Sequence, residues 1–494
     1  GFPNDRRPVL QTLDTIRCAD AILEYDIATG QPREPEWPAA DVILGNPPFL
    51  GGKKLRSELG DQYVDTIFKL YNGRVPREAD LVTYWFEKAY QLIDQDKTQR
   101  SGLLATNSIR GGANRKILER IKQSGDIFMA WSDRAWILEG AAVRVSMVGF
   151  DDGKEQDRTW DGRPVQVIHA DLTGDFNLTG AQPLKENTNL CLRADEKGGS
   201  FEISNDVAQH MLQAPGNTDG KANSDVIMKW ATATDIVRRH RSMWIIDFGV
   251  DTSQEQAAQY ELPFRYVEQH VKPVRATNNI PRVREQWWLH RIPGANMRQK
   301  LSKLKRYIVT PVTAKHRVFV WLDAKTLPDI TLSVFARDDD YFFGVLHSKA
   351  HELWSLHMGG WMGMGNDPRY TPTTTFETFP FPWPPGKEPQ DDPRVEAIAA
   401  AARELVRRRE LWLNPPTLEN APSDPQDARF LLPDLPLPNR TLTNLYNRRP
   451  DWLAEAHAAL DRAVLDAYGW PHDLSDDEIL ARLLALNGER ASAT

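Results

Sequence analysis

At 494 residues with 41% apolar side chains, the chain exceeds what one hydrophobic core sustains and should fold as about two to four domains. No apolar run approaches the roughly 20 residues of a membrane span, and the opening residues lack the pattern of a secretory leader. Two distant cysteines, Cys18 and Cys191, neither demand a disulfide nor build a thiolate metal site, which suits a reducing, bacterial-type cytoplasm.

The net charge of −7 hides a segregation. From Arg265 to Arg317 thirteen Lys or Arg stand against Glu268 and Glu285, so that segment carries +11 and the rest of the chain −18. A local field of that sign attracts polyanions, whatever the overall charge. The plain alternative is a solvated basic face.

In chain order, the first candidate element is Cys18-Ala19-Asp20-Ala21-Ile22-Leu23, followed by a loop rich in Pro and Glu. Next comes Asp41-Val42-Ile43-Leu44-Gly45-Asn46-Pro47-Pro48-Phe49. Val42 to Leu44 predict a short buried strand, which Gly45 and two prolines end abruptly. The amide of Asn46 is thereby displayed at a strand end. The prolines stiffen the loop and donate no N–H, so its carbonyls are left free to accept.

That combination suits methylation of the exocyclic amine of a base. Such a nitrogen is a poor nucleophile because its lone pair is delocalised into the ring, and two acceptors drawn to its hydrogens localise the pair. The Asn46 side-chain oxygen and the Pro47 carbonyl are candidates. A base inside a duplex is out of reach, so it must be flipped out and stacked, a task available to Phe49. A strand ending in a tight Pro turn is the bland alternative.

Leu50-Gly51-Gly52-Lys53-Lys54 follows as a pliable cationic link, whose lysines can meet phosphate if the loop closes on nucleic acid. Apolar positions Leu81, Val82, Trp85, Phe86, Ala89, Leu92 and Ile93 keep helical spacing over 80–93. A strand at 101–105 ends in Thr106-Asn107-Ser108, a helix covers Ile117 to Ile121, and strands are expected at 127–131 and 143–150 with Trp136 between them. Polar residues thus recur after strands, where open α/β sheets bind ligands.

The Asn46-Pro47-Pro48-Phe49 stretch resembles the N-P-P-F/Y motif of the amino-methyltransferases, specifically the N6-adenine DNA enzymes, and the element order to residue 150 matches the second half of the class I methyltransferase fold. The resemblance implies S-adenosylmethionine as cofactor. It implies that Asn46 and Pro47 accept from the amine, that Pro48 stiffens the loop, and that Phe49 stacks on adenine. Asp20, with Ala21 beside it and Asn46 across the site, would face the cofactor. The family's Gly-rich cofactor turn is absent before Asp20. The expectation is therefore that the sheet lacks its first strands, that they belong to a missing N-terminal part of the same protein or to a partner chain, and that these residues alone bind the cofactor poorly. C5-cytosine methylation needs a thiol in a Pro-Cys dipeptide, and neither cysteine sits in one.

Residues 151–224 are polar and turn-rich and are expected to connect. From 225 to 385 strands, aromatics and the basic segment predict a reader of double-stranded DNA, with Arg275, Asn278, Arg282, Arg284, Arg298, Lys300 and Arg317 as candidate contacts beside Lys53 and Lys54. His347, His351 and His357 include one i, i+4 pair. No third ligand is evident, so a packed helix is expected there and no metal. Gly359 to Gly365 predict a loop, and Phe376-Glu-Thr-Phe-Pro-Phe-Pro-Trp-Pro-Pro385 a stiff tail that closes the domain. In 386–494, Asp392-Pro393 opens a helix, 413–440 carry a proline-rich wrap, and helices follow at 451–468 and after the capping box of Ser475 and Glu478.

Over nearly the whole chain this order resembles the large single-chain type II restriction-modification enzymes, IIG or IIL in kind, and their methyltransferase relatives. The fold class implied is α/β: an incomplete class I methyltransferase (Rossmann-like) sheet over 1–150, a connector over 151–224, a mixed α+β target-recognition domain over 225–385 and helical support over 386–494. The function implied is adenine-N6 methylation of DNA in a restriction-modification or phage-defence system. A non-catalytic DNA-recognition subunit, or an amino-methyltransferase of RNA or protein, is the alternative.

Overall fold

The computed structural model describes residues 16–138, 141–174, 180–217, 220–362, 367–415 and 436–493. The chain divides into two compact units, Gly1–Asn177 and Leu178–Thr494.

In the first unit a small hairpin, β1 (Glu24–Tyr25) and β2 (Pro32–Arg33), precedes β3 (Val42–Gly45). Helices α1 (Leu55–Leu59), α2 (Asp61–Leu70) and α3 (Thr83–Asp94) lead to β4 (Arg100–Thr106) and α4 (Gly112–Ser124). Strands β5 (Asp126–Leu138), β6 (Ala141–Asp151), β7 (Arg158–Trp160) and β8 (Arg163–Val165) complete a sheet of order β3-β4-β6-β5-β7-β8. β3 runs parallel to β4, and β4, β6 and β5 alternate antiparallel. The helical spacing of Val82, Phe86, Ala89 and Ile93 and of Ile117 and Ile121 lays α3 and α4 on one face, over Leu103, Ala105 and Phe150. A second cluster gathers Ile22, Leu23, Leu55, Val64, Ile67, Tyr71 and Tyr84.

Two sequence expectations change here. β3 is the outermost strand among the described residues, and only Ile43 packs on the core, while Val42 is 44% and Leu44 80% exposed. The strand expected to end at 131 continues to Leu138, because β5 and β6 form a long ribbon whose polar Ser132 and Asp133 are tied to Asp161 and Arg144.

The second unit contains β9 (Cys191–Arg193), β10 (Glu202–Ile203), α5 (Asn205–Gln213), β11 (Ile227–Ala231), α6 (Ala233–Val237) and β12 (Trp244–Ile246). Short helices α7 (Gln254–Ala258), α8 (Glu261–His270), α9 (Lys272–Arg275), α10 (Pro281–Glu285) and α11 (Ala295–Leu301) follow. Then come β13 (Arg306–Pro311), β14 (Val320–Asp323), β15 (Thr326–Pro328), β16 (Leu332–Phe335), α12 (Asp340–His347) and α13 (Lys349–Met358). A hairpin of β17 (Gly360–Met362) and β18 (Asp367–Arg369) precedes the aromatic tail, and α14 (Pro393–Leu413), α15 (Leu442–Arg448), α16 (Asp451–Tyr468) and α17 (Asp476–Ser492) end the described chain. Two four-stranded sheets form, β10-β12-β11-β15 and β14-β13-β16-β9.

Phe376, Phe379 and Phe381 are fully buried, and the Asn187 amide donates to the Phe376 and Phe379 carbonyls at 3.0 and 2.7 Å, so the aromatic tail is clamped into the core. His347 and His351 are packed rather than presented. His351 donates from Nδ1 to the Leu346 carbonyl at 2.8 Å and pairs through Nε2 with the Tyr370 hydroxyl, and burial pushes its pKa down to about 3. His357 bonds the Leu353 carbonyl at 2.8 Å. Part of the glycine-rich loop, 363–366, and of the proline-rich wrap, 416–435, lies outside the described residues.

Candidate active site

β3 ends at Gly45, and the loop it launches holds Asn46 exposed, Pro47 buried, Pro48 exposed and Phe49 half-buried. Burying Pro47 anchors the loop by its apolar ring, so the carboxamide before it points away from the core rather than into it. Among the described residues neither the Asn46 side chain nor the Pro47 carbonyl takes part in a hydrogen bond. Phe49 is half-buried and belongs to neither of the two core clusters described for this unit.

What holds this loop is a carboxylate that the sequence did not single out. Asp80 Oδ1 accepts from the Gly52 N–H at 2.9 Å, and Oδ2 accepts from Ser108 Oγ at 2.6 Å and Asn114 Nδ2 at 2.8 Å. The Asp80 N–H donates to Asn114 Oδ1 at 2.6 Å, and the Leu81 N–H to the Leu50 carbonyl at 2.9 Å. One side chain therefore joins the turn after Phe49, the end of β4 and the start of α4. Gly52 sits so close beneath this bracket that a Cβ there would lie 2.3 Å from the Glu78 carbonyl oxygen. Beside the bracket, Asn107 is 1% exposed and its carboxamide has no partner among the described residues. An unspent amide at the carboxyl end of a strand stands where open α/β sheets receive ligands. The signal for both was the polar Thr106-Asn107-Ser108 after a strand, but their partners lie too far along the chain to be read locally.

Asp20 is exposed, and its carboxylate shapes a turn. Oδ1 accepts from the Ile22 and Leu23 N–H groups at 2.9 and 3.1 Å, and Oδ2 from the Tyr63 hydroxyl at 2.8 Å. Burial and then the hydrogen bond to Asp20 push the Tyr63 phenol up, so it stays a donor. Ala21 is half-buried, and its carbonyl takes the Trp37 indole N–H at 2.8 Å. Ile22, Leu23, Leu50 and Leu55 pack around one cluster, which brings the Asp20 turn and the link after Phe49 onto a common base. Lys53 and Lys54 are exposed in the tight turn Gly52–Lys54.

Comparison with known proteins then gives a family match to each unit. Residues 7–161 match the model of the MmeI DNA-methyltransferase domain, and 194–383 that of the MmeI target recognition domain. The chain carries both MmeI domains. It is 22% identical over 519 residues to DNA methyltransferase A of Bacillus subtilis (strain 168), covering 98% of this chain and 52% of that protein. The fold is like that of the type IIL restriction-modification enzyme MmeI, solved in complex with DNA, at a TM-score of 0.65 and 17% identity over 91% of this chain and 57% of that one. The chain thus spans about half the length of the curated relative it matches.

Within the part that matches the MmeI target recognition domain, three of the cations expected to meet DNA are committed elsewhere. Arg275 is 2% exposed, lies over the Phe201 ring and donates to the carbonyls of Trp287, Leu289 and Lys197. Burial and then Arg282 push its pKa down to about 10. Arg317 is 6% exposed and donates to the Pro311 and Pro368 carbonyls, and burial holds it near 10 as well. Arg298 bridges Asp195 and Asp247, while His290 lies against the same Asp195 at 2.7 Å. These side chains carry charge into the interior to satisfy buried acceptors, which a count of charges along the chain does not reveal. Arg282 and Arg284 stay exposed on α10. Arg282 bonds Gln286 and the Arg291 carbonyl, and Arg284 the carbonyl of half-buried Asn278. Lys300 donates to the Asn189 carbonyl.

Proposed function

We propose that this MmeI-like chain methylates the N6 amine of adenine in double-stranded DNA, with S-adenosylmethionine as methyl donor, within a restriction-modification or phage-defence system of the cytoplasm. The observation that carries the reading is the pair of uncommitted acceptors, the Asn46 carboxamide and the Pro47 carbonyl, at a braced strand end beside a half-free phenyl ring.

The adenine is turned out of its helix at a cost of about a few kcal/mol, which phosphate contacts offset. Phe49 stacks on the extruded ring. Asn46 Oδ1 and the Pro47 oxygen accept the two amine hydrogens, drawing the lone pair onto nitrogen. Because the Asp80 bracket fixes the loop beforehand, no reorganisation is needed when charge develops on the amine. Asp20 fits the cofactor's adenine: it is an exposed carboxylate, already oriented by Tyr63 and its own turn. S-adenosylmethionine supplies, when bound, an electrophilic methyl group.

The outermost position of β3 and the exposure of Val42 and Leu44 support further strands joining the sheet there, from the same protein or from a partner chain. Transfer of labelled methyl from cofactor to duplex DNA by the full-length protein tests the reading, with nucleoside analysis of the product. Asn46→Ala should reduce transfer at least 100-fold, about 2.7 kcal/mol, while DNA affinity holds. Transfer indifferent to Asn46, or product at cytosine, on RNA or on protein, ends it.

A further inference from the structure

Inside the second unit lies a cleft of about 690 Å³ whose lining includes Arg238, Arg239, Arg241, Lys315 and His316, with Asp367 as the acidic member. Three separate parts of the unit build it: the turn after α6, the loop between β13 and β14, and the start of α15. Its arginines come from Arg238-Arg239-His240-Arg241, a run outside the basic segment at 265–317.

The manner in which these cations are held points to a ligand. Arg239 donates to the Leu413 carbonyl at 2.9 Å and to Asn414 Oδ1 at 3.2 Å. Lys315 Nζ and His316 Nε2 both rest on Asn447 Oδ1, at 2.7 and 2.9 Å. Neutral acceptors orient a charge without cancelling it, and, unlike Arg275 and Arg317, which rest on carbonyls inside the core, Arg239 and Lys315 line an open cleft. Arg241 is the internal contrast, forked onto Asp235. Burial raises that carboxyl, but hydrogen bonds from Arg241 and Thr232 outweigh it and hold the group well below the usual range. Arg238 is exposed and has no side-chain partner among the described residues. Thr443 Oγ1, bonded to the Val237 carbonyl at 3.0 Å, ties α15 to the arginine turn, so the walls of the cleft are joined.

We infer that this cleft grips the phosphate backbone of duplex DNA, an anchoring surface separate from the α10 face. The inference rests on the DNA-reading role proposed above. Phosphates find oriented cations whose side-chain entropy is already spent, and each cation that displaces a counterion adds to the salt dependence of binding.

The test is the slope of log affinity against log salt for the 494-residue chain on a 30-base-pair duplex. Arg238→Ala with Lys315→Ala should lower the slope by about 2. Lys325→Ala with Lys387→Ala, an equal charge loss at exposed positions outside both the cleft and the 265–317 segment, should leave it unchanged. Asn447→Ala frees Lys315 and His316 without altering charge, and should weaken binding with the slope retained. If wild type binds duplex DNA and the cleft pair keeps the full slope, or the control pair loses as much, the cleft is overturned while the DNA-reading role stands. If wild type binds no duplex, or prefers double-stranded RNA, both fall. Should the double variant misfold by circular dichroism, Arg238→Ala alone carries the test through a slope change of about 1.

Discussion

Gly51 and Gly52 follow one another, yet the structure treats them differently. A Cβ on Gly52 would meet the Glu78 carbonyl oxygen at 2.3 Å and the Ala79 oxygen at 2.9 Å, backbone atoms that cannot swing aside. On Gly51, with φ −68 and ψ 144, the nearest atom is Asp80 Oδ1 at 3.7 Å. Gly52→Ala is therefore expected to destabilise the chain by about 1–3 kcal/mol and to slow methyl transfer, while Gly51→Ala stays within about 0.5 kcal/mol of wild type. Urea titration of both variants checks this, and equal losses would contradict the crowding argument. At this scale the place of Asn46 at the exit of β3 was legible, because a β-forming run closed by Gly45 and two prolines is written in successive residues. The inward cations were not: Arg275 finds its acceptors at Lys197, Trp287 and Leu289, and Arg298 at Asp195 and Asp247. No local pattern connects such pairs.

Among the elements, those carrying their own punctuation were read closely. The helix expected at 451–468 is α16, and the Ser475 and Glu478 capping box does open α17. The seven-residue α15 was missed, because it follows a proline-rich stretch and is too short to show a period. The junction of loop, β4 and α4 depends on Asp80. Its removal strips three acceptor bonds from groups that the fold has drawn out of water. Asp80→Ala should cost about 2–4 kcal/mol by urea titration. Under single-turnover conditions it should lower the rate of methyl transfer with little change in DNA affinity, since the bonds it makes lie within the first unit, around the Asn46 loop. A proportional loss of DNA affinity would show that Asp80 serves general stability alone.

For the molecule as a whole, the basic segment argued for a nucleic-acid reader, and the family matches bear out a target recognition domain over 194–383. The outlying Arg238-Arg239-His240-Arg241 run went unremarked because it is short and flanked by neutral sequence. One half-buried carboxyl sets a pH dependence for the second unit. Asp461 accepts from the Lys349 N–H at 2.7 Å, and burial lifts its pKa to about 6 against this bond and the Lys349 charge. Because the folded state holds that proton more tightly than the unfolded chain does, stability rises as pH falls from about 6 towards 4. At pH 7 ionised Asp461 costs roughly 3 kcal/mol. Asp461→Asn keeps the acceptor and should recover most of that at pH 7, flattening the profile of thermal midpoint between pH 4 and 6; an unchanged profile would refute the assignment. The edge position of β3 reaches beyond catalysis. A backbone ladder facing solvent has no means of choosing among extended strands, since all offer it the same alternation of donor and acceptor, and Leu44 makes the offer adhesive. Protein concentration thereby becomes an experimental variable: crowded solutions of the chain by itself invite edge-to-edge zippering, and dilute ones are where its individual behaviour can be seen.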